Sequence, residues 1–213
     1  MANSRKRFAQ TAALLTMLYC ARSYYRNWGA TKAESRLQVP GDTLVSDPAV
    51  QTTEAVDIDA TAPAVWSGLM RMGQDRAAGS VQGSETVAGQ DDNQSLRVGD
   101  VIRLTPERWL GLPDGVTLRV AEIAPEKYIV LTAMRSEPRW NAVVSFHLQP
   151  HWQDRVRLLA RARIGLRYPG EVFALELARP MISLGTRALL LTAKRRAERL
   201  APAVPIRASV QTR

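Results

Sequence analysis

The stretch from Glu171 to Leu200, EVFALELARPMISLGTRALLLTAKRRAERL, limits the fold more than any other. Phe173, Leu177, Met181, Leu184, Ala188 and Leu191 recur at steps of three and four, which predicts one face of an α-helix. Leu175, Ile182, Leu189 and Leu190 widen that apolar surface beyond a narrow seam. At about 1.5 Å per residue the helix would be roughly 45 Å long, so it needs a long partner surface. Pro180 removes one backbone donor and predicts a kink or a division.

The residues before it read as that partner. Thr52 to Ala60 alternates, with Val56 and Ile58 against Asp57 and Asp59, which predicts a half-buried strand with both carboxylates in solvent. Thr61 as cap and Pro63 in the first turn start a helix from Pro63 to Met72 that buries Val65, Trp66, Leu69 and Met72. Gly73 to Arg97 is rich in glycine and small polar residues and reads as a long flexible loop. Strands follow at Val101–Leu104, Val116–Ile123, Tyr128–Ala133, Trp140–Gln149 and Asp154–Ile164, with turns at Ala124–Lys127 and Pro150–Gln153. The order is strand, helix, five further antiparallel strands and a long helix, an α+β pattern.

Charge is distributed unevenly over the 213 residues. Residues 1–36 and 187–213 each hold seven Lys or Arg and one Glu, while 37–186 hold 15 basic and 18 acidic residues. A body with a net charge of −3 argues against nucleic-acid binding, which places its basic stripe on the fold itself. The single cysteine, Cys20, excludes a disulfide within the chain. Phe8 to Ala21 is an uncharged run of 14, short of the roughly 20 residues that span a bilayer, and no A-x-A cleavage pattern follows it. With Arg22, Tyr24, Tyr25, Arg26 and Trp28 behind it, the run reads as an apolar helix that packs on the domain or makes peripheral membrane contact. The organisation read from these features is an N-terminal segment over 1–36, a linker over 37–51 with its Pro40-Gly41-Asp42 turn, a domain over 52–200 and a tail over 201–213. The expected setting is cytoplasmic, with membrane association as the alternative.

These residues in this order resemble the START-related, polyketide-cyclase-like SRPBCC superfamily, and within it a bacterial branch of uncharacterised members. Trp28-Gly29-Ala30-Thr31 with Glu34 resembles the W-G-A-T start of that branch, and Pro40-Gly41-Asp42 with Leu44, Val45 and Pro48 resembles its linker. Thr53 to Ala60, Val65-Trp66, Met72-Gly73-Gln74 with Arg76, Val98-Gly99-Asp100 and Ala193 to Glu198 continue the match over residues 28 to 200. Two places depart from it: an aromatic-rich segment after the first helix reads Ala77 to Gln82 here, and a second tryptophan in that helix is replaced by Gly68. The resemblance implies a helix-grip fold, a sheet of about six strands curled around the C-terminal helix with a cavity between them.

Few residues point to catalysis. His147 and His151 are four apart, but Pro150 between them at a strand end spoils helical metal-ligand spacing, so no metal or cofactor is expected. Gly79-Ser80-Val81-Gln82-Gly83 is no nucleophile elbow, because serine is not central. Asn93-Gln94-Ser95 fits a glycosylation acceptor that means little without a secretory signal. Arg155, Arg157, Arg161 and Arg163 form a basic row, read as an outer sheet face balanced by acidic neighbours such as Glu122, or else as a docking surface. The better lead is apolar: Trp66, Leu69, Val116, Leu118, Val120, Trp140, Val144, Phe146, Leu148, Val156 and Leu158, met from the helix by Phe173, Leu177, Met181 and Leu184, are the expected cavity residues. No catalytic pair is apparent among them. The first reading is therefore non-enzymatic binding or transport of a hydrophobic small molecule or lipid. The second is a cyclase- or dehydratase-like enzyme, which needs polar groups inside, and the third is a membrane-peripheral interaction module.

Overall fold

The computed structural model describes Thr16 and residues 27–78, 96–103, 116–133, 140–152, 154–166 and 171–200. For 76–78, Trp140, Trp152, 171–174, 176–178 and Met181 it describes the backbone alone. Apart from Thr16, the residues of the Phe8 to Ala21 reading, Cys20 among them, lie outside the described residues, as do Gly79 to Gly83 and Asn93 to Ser95.

Six strands form one antiparallel sheet in the order β1-β6-β5-β4-β3-β2: β1 (Val50–Ile58), β2 (Val101–Arg103), β3 (Thr117–Ala124), β4 (Tyr128–Ala133), β5 (Trp140–Trp152) and β6 (Arg155–Leu166). Strand period two sends Leu118, Val120, Ile129, Leu131, Phe146, Leu148, Val156 and Leu158 to one face, where they form a single cluster. Two helices cover that face, α2 (Ala62–Ala78) through Val65, Leu69 and Met72, and α3 (Glu171–Leu200) through Leu190, Ala193 and Ala197. Leu158 and Leu190 are fully buried, each worth about 1.5–3 kcal/mol of apolar transfer. This is the expected α+β helix grip.

Several expectations need correcting. The helix after β1 runs to Ala78, six residues past the predicted end, so residues 73–78 are helical and not part of a loop. Of the two outcomes expected at Pro180, the division does not occur: helix α3 runs from Glu171 to Leu200 as one element with the proline inside it. Pro150 does not end its strand: β5 continues to Trp152 across a register irregularity, the kind of place where a sheet tolerates proline.

The face of α3 is the largest correction. Leu175, Ser183, Arg187, Leu190, Ala193 and Ala197 are buried, whereas Leu184, Ala188 and Leu191 are exposed, Leu184 by 48%. At about 100° per residue the buried stripe lies almost opposite the predicted one. The physical reason is that leucines fall on more than one side of α3 (Leu175 and Leu190 on the buried stripe, Leu184 and Leu191 on the exposed one), and the inner stripe contains the polar Ser183 and Arg187.

The sheet's other face is covered as well. Residues 27–46 form a strap that rounds the free edge of β1 and then crosses the outer face. Ala55 N donates to Trp28 O at 3.0 Å, and Thr53 N to Asn27 Oδ1 at 3.1 Å, so the strap satisfies the edge donors of β1. Gly29 has φ +70, and a Cβ there would run into the Ala55 carbonyl oxygen, so only glycine permits the approach. Gly41, at φ +91, passes so close that a Cβ would sit 2.8 Å from Val130 Cγ1. Between them, α1 (Lys32–Arg36) opens with a capping box in which Glu34 N donates to Thr31 Oγ1 at 3.1 Å and Thr31 N to Glu34 Oε2 at 2.7 Å.

The arginine row of β6 fastens this strap. Arg157 is bidentate to Glu34 and donates to Asp57 Oδ1 at 2.9 Å and to Gly29 O at 2.7 Å. Arg161, 2% exposed, donates to Asp42 Oδ2, Thr53 Oγ1 and the carbonyls of Leu37 and Glu34. Arg163 reaches Asp42 Oδ1 at 3.3 Å and Val45 O at 3.0 Å. Only Arg155, paired with Asp59 at 2.6 Å, lies open to solvent. The row is therefore an internal fastening under the strap. Glu122, expected to balance it, instead accepts from the Tyr128 hydroxyl at 2.5 Å.

Candidate functional site

In β1 the alternation that turns Val56 and Ile58 inward also turns Glu54 inward. Glu54 is 1% exposed, and its partner across the ladder is Ala160, small enough to leave the carboxyl its space. It lies along the strand between two apolar clusters, one holding Val56, Ile58 and Leu158 and the other Val50, Ile164 and Leu175. Helix α3 faces it with Ser183 and Arg187, one turn apart on one stripe. Ser183 Oγ donates to Glu54 Oε1 at 2.5 Å. The Arg187 guanidinium stands over the Trp28 ring, 5.1 Å from its centroid, a cation–π contact that ties the strap to the helix.

Glu54 is the electrostatic anomaly of the interior. Burial pushes its carboxyl up from 4.5 to about 7, against the weaker opposing pulls of the Ser183 hydrogen bond and the Arg187 charge. Its second oxygen, Oε2, is buried and has no hydrogen-bond partner among the described residues. A half-satisfied buried carboxyl costs stability, and a group poised near neutrality can both give and take a proton. Glu54, Ser183 and Arg187 thus place polar chemistry inside the grip, where none was expected.

The expected cavity residues divide in three. Leu69, Leu118, Val120, Phe146, Leu148, Val156 and Leu158 are buried in the main cluster, and Trp66, Val116 and Val144 pack against it. Leu184 is excluded by its exposure on the far side of α3. The side chains of Trp140, Phe173, Leu177 and Met181 lie outside the described residues. Glu54 is not among the expected residues, and its parity with Val56 and Ile58 is the signal in the sequence that marks it as inward. Ser183 and Arg187, four apart, were hidden by the apolar count on the other side of the helix.

The histidines occupy different surroundings. His147 is buried on the outer face, its Nε2 2.8 Å from Ser145 Oγ, and burial together with the Arg161 charge lowers it from 6.5 to about 4. His151 is exposed at the end of β5. Among the described residues no three His, Cys, Asp or Glu side chains gather to hold a metal ion. Among the described residues, likewise, no helix is long and apolar enough to cross a membrane.

No family model matches the chain, and no curated protein matches it. Among solved structures, it is similar to the Zhui aromatase/cyclase from Streptomyces sp. R1128, at 17% identity and a TM-score of 0.48 over 72% of this chain and 96% of that one. It is also similar to norcoclaurine synthase from Thalictrum flavum in complex with dopamine and hydroxybenzaldehyde, at 12% identity and 0.44 over 72% and 94%. The Aha1 dimer from Colwellia psychrerythraea matches at 14% identity and 0.43 over 68% and 96%. The architecture is a helix grip. That follows from this chain's own sheet and helices, and what the site does is argued from its own residues.

Proposed function

We propose that this helix-grip protein binds a hydrophobic small molecule or lipid between the inner face of the sheet and α3, with Glu54 as the polar anchor. The observation that carries this reading is the unpartnered Oε2 of Glu54, sealed between two apolar clusters. Core packing alone would be served better by an apolar residue at that position, so the cost of the carboxyl points to use. The ligand class that suits it is mostly apolar with one hydroxyl or amine, whose proton would satisfy the free oxygen. Because Oε2 is sealed in this state, binding requires α3 to shift from β1, which loosens the Ser183 contact first.

The test is native mass spectrometry of the full chain, as purified and after addition of a long-chain alcohol or a phenol. One-to-one complexes that weaken severalfold in Glu54→Ala support the proposal. Absence of any complex with co-purified or added apolar ligand overturns it.

A second reading, acid–base catalysis of the cyclase or dehydratase kind, is favoured by one fact, the placement of the Glu54 carboxyl at about 7. It requires that Glu54→Gln retain ligand binding while abolishing turnover.

A further inference from the structure

On the opposite face of the sheet, between the strap and strands β1 and β6, lies a crevice of about 460 Å³. Its wall carries three guanidiniums, those of Arg36, Arg161 and Arg163, and one carboxylate, Asp42. The arginine just beyond it, Arg157, has two carboxylates to itself, Glu34 and Asp57. Asp42 must serve both Arg161 and Arg163, whose side chains are only 2% and 13% exposed. Arg36, at the end of α1, has no carboxylate partner among the described residues. The nearby His147 is held neutral at physiological pH and changes nothing in this count.

Buried cations are ordinarily matched by anions, because desolvation is offset only by a close opposite charge. Arg161 and Arg163 share the one Asp42 carboxylate, which leaves that buried pair one negative charge short, and the exposed Arg36 adds a third positive charge to the wall. A guanidinium carries five N–H donors. The partners of Arg161 account for four of them and those of Arg163 for three. The hydroxyl-bearing Thr43 and Ser46 line the same space. We propose that this crevice binds an oxyanion, a phosphate or carboxylate group, held chiefly by Arg36 and Arg163. The proposal is independent of the interior reading, since the sheet separates the two sites.

The test is calorimetric titration of the full chain with inorganic phosphate and, separately, with acetate, at ionic strength fixed by chloride. Saturable one-to-one binding of either ion supports the proposal. Phosphate binding alone assigns a phosphate-bearing ligand, and acetate binding alone a carboxylate. Arg36→Ala removes an exposed side chain that plays no part in fastening the strap, so the protein stays folded, and binding should weaken roughly tenfold. Arg163→Gln should weaken it as well, and thermal melting checks that this variant is still folded. Heat no greater than that of added chloride, or Arg36→Ala binding as tightly as the native chain, overturns the proposal. An outcome in which phosphate binds here but no apolar ligand is found leaves this site standing and removes only the interior one.

Discussion

Two buried titratable residues lie on opposite faces of the sheet and act on stability in opposite directions. Glu54 binds its proton more tightly in the folded chain, about 7 against 4.5. Between those values the unfolded chain has lost the proton and the folded chain keeps it, so stability falls as pH rises. His147 is the reverse, about 4 against 6.5, so stability rises with pH across that interval. Between pH 4.5 and 6.5 the two slopes nearly cancel, and the native protein should show little change in stability there. Glu54→Gln uncovers the histidine: stability should climb by roughly 3 kcal/mol from pH 4 to 6.5. His147→Asn uncovers the carboxyl, and stability should drop by a similar amount, roughly 3 kcal/mol, from pH 4.5 to 7. Urea denaturation at half-unit steps of pH measures all three curves. A Glu54→Gln profile parallel to the native one would show that the carboxyl titrates normally. Glu34 adds a separate acid limb, because Arg157 holds it near 2, and its contribution is lost only as pH falls below 4.5 toward that value.

At the scale of the element, α3 gives the clearest test of which side faces the sheet. Leu190 is fully buried against the main cluster, so Leu190→Ala should cost about 2–5 kcal/mol. Leu184 is 48% exposed on the far side, so Leu184→Ala should stay within about 0.5 kcal/mol. Denaturant midpoints of the two variants decide the matter, and equal losses would mean that the helix sits otherwise. The contrast also shows what could be read from the residues alone. The strands could be, because Val116 to Ile123 and Trp140 to Gln149 carry a period of two that only one face can satisfy. The limits of α3 could be, because apolar spacing persists from Glu171 to Leu200. Its orientation could not, because leucines surround the helix and the inward stripe includes Ser183 and Arg187. The strap was half legible. Its W-G-A-T and P-G-D motifs stood out, but their purpose depends on contacts made more than a hundred residues away, such as Arg161 with Asp42. The arginine row looked like a solvated face for the same reason, since a strand pattern says which side a residue takes and nothing of what lies over it.

At the scale of the whole molecule, β1 joins parts that are remote in sequence. Its ladder with β6 opens at Val50 and Ile164, 114 positions apart. From inside, Ser183 reaches Glu54 across 129 positions, and from outside Arg157 reaches Glu34 across 123. Strands β3 to β6, by contrast, pair with sequence neighbours. Loop-closure entropy delays the distant contacts, so the meander from β3 to β6 should form first, with β1, the strap and α3 closing afterwards. Gly29→Ala tests that order. Its Cβ meets the Ala55 carbonyl at a backbone angle alanine disfavours, which should cost about 1–3 kcal/mol. If the strap closes after the rate-limiting step, the whole loss appears as faster unfolding, while refolding keeps its native rate. Stopped-flow measurement of both chevron limbs separates the cases. Slower refolding in proportion to the lost stability would place the strap and β1 in the nucleus instead, and the grip would then close around an edge already set.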